Sequence, residues 1–155
     1  MKQVFLFFLT ILFNFSFAQK KELRKAQKLY DSGDLAGSEQ ILNEFESILE
    51  NIDDKLKPNY KLLKGKVAKD NKNFTAAFDI LIPLKGIKSI EEDLEQTLAQ
   101  LAADIVNSAI DDNNKGDFKS SAQKLYLAYE VDKEQNIDYL YYAASSAVNA
   151  EELEK

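Results

Sequence analysis

Hydrophobic residues recur at three- and four-residue intervals through most of this chain, between charged and polar ones, which is the helical period. Leu23, Ala26, Leu29 and Tyr30 mark a first helix over Lys20 to Tyr30. Asp31-Ser32-Gly33-Asp34 ends it with turn residues, Gly33 suiting a left-handed cap and Asp34 the N-cap of the next helix. That second helix carries Leu35, Ser38, Leu42, Phe45 and Leu49, flanked by Ile41 and Ile48. After the charged connection Asn51 to Lys57, Pro58 suits the first turn of a third helix faced by Tyr60, Leu63 and Val67. Gly65 lies inside that pattern, where it costs about 1 kcal/mol against alanine and signals the close approach of a neighbour. Asn73 is placed to cap a short fourth helix with Phe74, Ala77, Phe78 and Leu81, stopped by Pro83 and Gly86.

Ser89-Ile90-Glu91-Glu92 has the form of a capping box and predicts the start of the longest helix. Its stripe is Ile90, Leu94, Leu98, Leu101, Ile105 and Ala109, and a polar turn is expected over Asp111 to Asp117. A sixth helix comes next with Phe118, Ser121, Ala122, Leu125, Ala128 and Tyr129. A last one, with Asn136 at its start, is expected to line Leu140, Ala143, Ala144 and Ala147 along one side. No stretch alternates in the strand manner, so the predicted fold is all-α, with about seven helices.

The turns repeat. Gly33-Asp34-Leu35, Lys72-Asn73-Phe74, Gly116-Asp117-Phe118 and Glu151-Glu152-Leu153 are four versions of one unit. The residue seven positions before each is small: Ala26, Gly65, Ala109 and Ala144. Early in the second helices stand Ser38, Ala77 and Ser121, with Leu42, Leu81 and Leu125 four positions on. Phe45, Leu84 and Ala128 come three positions later. Helices approach to about 8–10 Å only where side chains are short, which accounts for the small residues.

These residues resemble tetratricopeptide (TPR) repeats, units of 34 residues built as helix pairs. The resemblance covers roughly residues 20–155, in units of about 20–51, 58–86 and 89–132 with an incomplete 136–155. It departs from the family at Glu22, Lys25, Lys61 and Lys64, where large apolar residues are usual, at Phe45 and Leu84, where a small residue such as Ala128 is usual, and in lacking the helix-ending proline. The chain is also similar to exported TPR proteins of the Bacteroidota, of flavobacterial type, in its leader ending FAQ and in residues 108–150. The resemblance implies an α-solenoid whose first helices line a groove for a protein or peptide. By position, that groove would receive Gln27, Tyr30, Lys66, Lys69, Asn113, Tyr141, Ser145 and Asn149.

Residues 1–18 lie outside the repeats. Lys2, the apolar run Val4 to Phe13 and the small Ser16 and Ala18 read as a signal peptide cleaved before Gln19. The uncharged run is at the short limit for a spanning helix. The expected location is the periplasm, the cell surface or the extracellular medium, with no membrane insertion after cleavage. The whole chain carries −6; without Lys2 the balance is 19 basic against 26 acidic residues, or −7. That charge opposes nucleic-acid and anionic-membrane partners.

Cysteine, histidine and tryptophan are absent, which removes thiol chemistry, the commonest metal ligand and the base best suited to neutral pH. The expectation is a non-catalytic scaffold with no cofactor or metal. Asp111 to Gly116 imitates a calcium loop but fails, with Lys115 and Ala122 where oxygen ligands belong. The alternative is a cell-envelope structural or ligand-binding protein on an irregular helical bundle. The last helix, with no second helix after it in this sequence, is expected to expose an apolar patch or to self-associate.

Overall fold

The computed structural model describes residues 19–46, 52–133 and 136–153. The expected signal peptide, with Ile48 and Leu49, falls outside them. The described residues form seven α-helices and no strand. In chain order these are α1 (19–31), α2 (Leu35–Glu46), α3 (Lys57–Asp70), α4 (Phe74–Leu81), α5 (Glu91–Asn114), α6 (Phe118–Asp132) and α7 (Asp138–Leu153). Two single 3-10 turns, Ile82–Leu84 and Lys88–Ile90, join α4 to α5. No described helix is long and apolar enough to cross a membrane.

Three turns share one geometry. Gly33, Lys72 and Gly116 all have φ between 60° and 83°. Each amide donates to the carbonyl three residues back, and the next residue's amide to the carbonyl five back: Asp34 to Leu29, Asn73 to Ala68, Asp117 to Asp112. That next residue's side chain then caps the second helix, Asp34 accepting from the Gly37 amide, Asn73 from Ala76 and Asp117 from Ser120. A left-handed residue closes the carbonyl end while a short polar side chain satisfies the free amide end, so one three-residue turn finishes two helices. Lys72 takes the left-handed position without being glycine, a strained choice for a side chain with a Cβ.

The fourth expected turn is not formed. Glu151, Glu152 and Leu153 continue α7. They contain neither a glycine nor a short capping side chain, and Glu and Leu are good helix formers. Two other boundaries also move. Asp111 to Asn114 belong to α5, which leaves only Lys115 to Asp117 as the turn. Asp112 there pairs with Lys124 of α6 at 2.6 Å, a tertiary contact that outweighs the weak helix propensity of Asp and Asn. The Ser89 capping box is absent: Ser89 is inside the 3-10 turn, and Ile90 precedes α5 without a side-chain cap. Pro58 does stand in the first turn of α3.

Three cores succeed one another along the chain. The first joins Leu23 and Ala26 of α1, Ile41, Leu42 and Phe45 of α2, and Tyr60, Leu63 and Val67 of α3. The second joins Leu62 of α3 to Ala77 and Leu81 of α4, Leu98, Leu101 and Ile105 of α5, and Ala128 of α6. The third gathers Ala109, Leu125 and Ala143 from α5, α6 and α7. The repeat-equivalent residues of the second helices are buried in every case: Ser38, Ala77 and Ser121; Leu42, Leu81 and Leu125; Phe45, Leu84 and Ala128. Gly65 is where a neighbour comes closest, since a Cβ there would run into the Leu81 side chain, 2.5 Å from its Cγ. Ser38 and Ser121 keep their hydroxyls buried without a hydrogen-bond partner, so these positions are selected for smallness rather than polarity.

Candidate functional site

The first helices α1, α3 and α5 lie side by side, joined by polar side chains that their buried stripes leave facing the same way. Tyr30, at the end of α1, faces Asp70 at the end of α3. Burial first, then the neighbouring carboxylate of Asp70 and the charges of Asp31 and Asp93, push the Tyr30 hydroxyl far above its ordinary value. On α3, Lys66 pairs with Asp93 of α5 at 2.5 Å. Lys69 lies between Asp70 at 2.5 Å and Asp104 of α5 at 3.5 Å, and only 7% of its side chain meets solvent. The Thr97 hydroxyl donates to the Asp93 carbonyl at 2.6 Å and steadies the turn that carries it.

A nearly buried ammonium is tolerated here because two carboxylates flank it, and removing a partner from such an arrangement costs far more than the arrangement gains. Next to it is a cleft of about 230 Å³ edged by Lys69, Asp70, Lys72, Asp104, Asn107 and Asp111. Lys66 and Lys69 are therefore both neutralised from within. What remains towards solvent is an excess of carboxylate.

Of the eight residues expected in the groove, Tyr30, Lys66 and Lys69 are brought into this network. Gln27 is one turn away and donates to Asp31 at 2.7 Å. Asn113, Tyr141, Ser145 and Asn149 are exposed and make no hydrogen bond to the network. Asn113 is at the end of α5, where its carbonyl accepts from the Gly116 amide. Ser145 and Asn149 share the polar arc of α7 with Asp138 and Tyr142, whereas Tyr141 is on a different, apolar arc and is 72% exposed. Asp70, Asp93 and Asp104 were not singled out in the sequence. Their partners are on other helices, so spacing within one helix carries no trace of the pairing.

A second cleft, of about 450 Å³, opens on the other side of α5. Leu94, Leu98, Ala102 and Val131 form its apolar floor, Tyr139 its wall, and Glu91, Glu95 and Asp132 its rim. The described residues contain no cluster of three or more potential metal ligands. No family model, curated protein or solved structure matches the chain.

Proposed function

We propose that this chain is a non-catalytic, exported scaffold of the TPR type that holds a protein or peptide segment along the face made by α1, α3 and α5. The observation that carries this reading is the threefold repetition of one turn, one cap and one set of buried small residues, which sets successive first helices beside each other. An α-solenoid is the architecture such repetition builds, and its inner face is an extended binding surface. Export rests on the pattern of residues 1–18.

The electrostatics specify the partner's chemistry. With Lys66 and Lys69 already paired, Asp31, Asp70, Asp93, Asp104 and Asp111 outnumber the lysines of the face even with Lys72 at its edge. A segment with lysine or arginine side chains complements it, and an acidic one does not. Fluorescence anisotropy with a labelled lysine-rich nonapeptide and its glutamate counterpart tests this. The lysine peptide binds, loses affinity with added salt, and is weakened roughly tenfold by Asp104→Asn combined with Asp111→Asn, a loss of about 1.4 kcal/mol. Equal binding of the two peptides, or none of either, contradicts the reading.

The second cleft favours the alternative of a ligand-binding protein on an irregular bundle, because its apolar floor and polar rim suit a small amphipathic molecule. Tyr139→Ala separates the two readings: it opens this cleft and leaves the peptide face untouched.

A further inference from the structure

Helix α7 has three distinct arcs. Tyr139, Ala143, Ser146 and Ala150 turn inward, with Ala143 and Ser146 buried against the body of the protein. Asp138, Tyr142, Ser145 and Asn149 form a polar arc. Between them, over about 120° of the helix surface, runs a third arc: Ile137 just before the helix, then Leu140, Tyr141, Ala144, Ala147 and Val148. All six are exposed. The expected stripe of α7 is thereby corrected. Of its four residues only Ala143 packs inward, and Leu140, Ala144 and Ala147 face solvent.

The outward arc is symmetric about Ala144. Counting from it, Tyr141 and Ala147 are three residues away on either side, Leu140 and Val148 four, Ile137 and Glu151 seven. Two such helices laid antiparallel, with the Ala144 residues facing each other on a twofold axis, set Tyr141 of each copy over the small Ala147 of the other. Leu140 meets Val148 on both sides. Alanine at the centre lets the axes come to about 8 Å, and large side chains oppose small ones along about 21 Å of helix. Charge agrees with this pairing. The last turn of α7 has acidic and no basic residues, which its own dipole disfavours. The antiparallel arrangement sets Glu151 beside the positive N-terminal end of the other copy's α7, next to Ile137.

We propose that the occupant of this face is a second copy of the chain, bound through an isologous α7–α7 contact centred on Ala144. The contact consists of one helix from each copy, at the small end of specific interfaces, so the dimer is reversible, with a dissociation constant on the order of 10 μM.

The absence of cysteine makes the geometry directly testable. The full chain, expressed with residues 1–18 in place and purified in the form the host yields, is subjected to sedimentation and to oxidative cross-linking. Wild type passes from monomer to dimer with concentration, and Ala144→Arg raises the dissociation constant at least tenfold while circular dichroism and melting stay unchanged. Ala144→Cys cross-links to itself, and Ser145→Cys, on the polar arc, does not. Leu140→Cys and Val148→Cys cross-link when mixed and poorly when alone, as the antiparallel arrangement requires. A wild-type monomer at several hundred micromolar overturns the proposal, as does cross-linking of Leu140→Cys to itself in preference to Val148→Cys. Retention of the dimer by a folded Ala144→Arg variant places the contact elsewhere and overturns it equally.

Discussion

Helices α3 and α7 each come after the second helix of the preceding pair, yet they are covered differently. α3 is packed on both sides: Tyr60, Leu63 and Val67 join the core with α1 and α2, while Leu62 and Gly65 meet α4 and α5. α7 is packed on one side only, through Ala143 and Ser146. The positions seven residues before each turn make the contrast concrete. Ala26, Gly65 and Ala109 are all buried beneath the second helix of their own pair, whereas Ala144 is exposed because no described helix covers it. A small residue marks a close approach only where a neighbour exists to make it. The same residue type at the same spacing is a packing contact in α3 and an open surface in α7.

The largest effect expected from this difference comes from removing a leucine on each side of it. Leu81→Ala, which strips the side chain lying over Gly65, lowers the unfolding free energy by about 3 kcal/mol in urea denaturation, within the range for fully buried leucines. Leu140→Ala on α7, where 37% of the residue is still exposed, lowers it by only about 1 kcal/mol at concentrations where the protein is monomeric. Similar losses at the two sites would mean that α7 is covered after all.

Gly65→Ala sharpens the comparison next. Helix propensity alone favours the change by about 1 kcal/mol. The added methyl would collide with Leu81 Cδ2 and stand 2.5 Å from its Cγ, so the buried Leu81 side chain has to shift within a packed core. A net destabilisation of about 1–2 kcal/mol results. In the Leu81→Ala background the clash disappears and the same substitution stabilises. A stabilising Gly65→Ala in the wild type would disprove the close approach.

The last expected effect is a pH dependence. Tyr60 of α3 is buried, donates to the Leu42 carbonyl at 3.2 Å, and has its hydroxyl pushed up from 10.0 to about 12, by burial first and the charge of Glu46 second. The folded chain holds this proton more tightly than the unfolded one. Its contribution is therefore complete below pH 10 and is lost as the pH rises from about 10 to 12. Tyr60→Phe flattens the alkaline fall of stability over that interval, measured by thermal melts. An unchanged slope would mean that the hydroxyl is not held this way.

What the sequence revealed and what it concealed divide along local and distant interactions. Helix identities and three of the turns were legible because a cap is made within three residues: Asp34, Asn73 and Asp117 each bind the amide three positions on. The continuation of α5 through Asn114 was not, since it depends on Lys124 reaching Asp112 from the next helix. The inward arc of α7 was misread because Ser146 looks polar yet is small enough to bury, while Ala144 looks like core yet has no cover. In the candidate site, the place of Tyr30, Lys66 and Lys69 in the repeat brings them to one polar network. Their charge balance was not legible, because Asp93 and Asp104 belong to a helix 27 and 35 residues further along. Position within a repeat is written locally; which charges remain free is decided by neighbours.

The most direct test of the contrast uses thiol labelling at the equivalent positions, one cysteine at a time in a chain that has none of its own. With Ala26→Cys and Ala109→Cys, labelling is slowed by orders of magnitude and proceeds only through opening of the packed helices. With Ala144→Cys, labelling below 1 μM, well under the dissociation constant of about 10 μM expected for the proposed dimer, runs close to the rate of a free thiol and slows as the concentration rises. Strong protection of Ala144→Cys at the lowest concentration would show that α7 is covered within a single chain, and the account of an open end would be wrong.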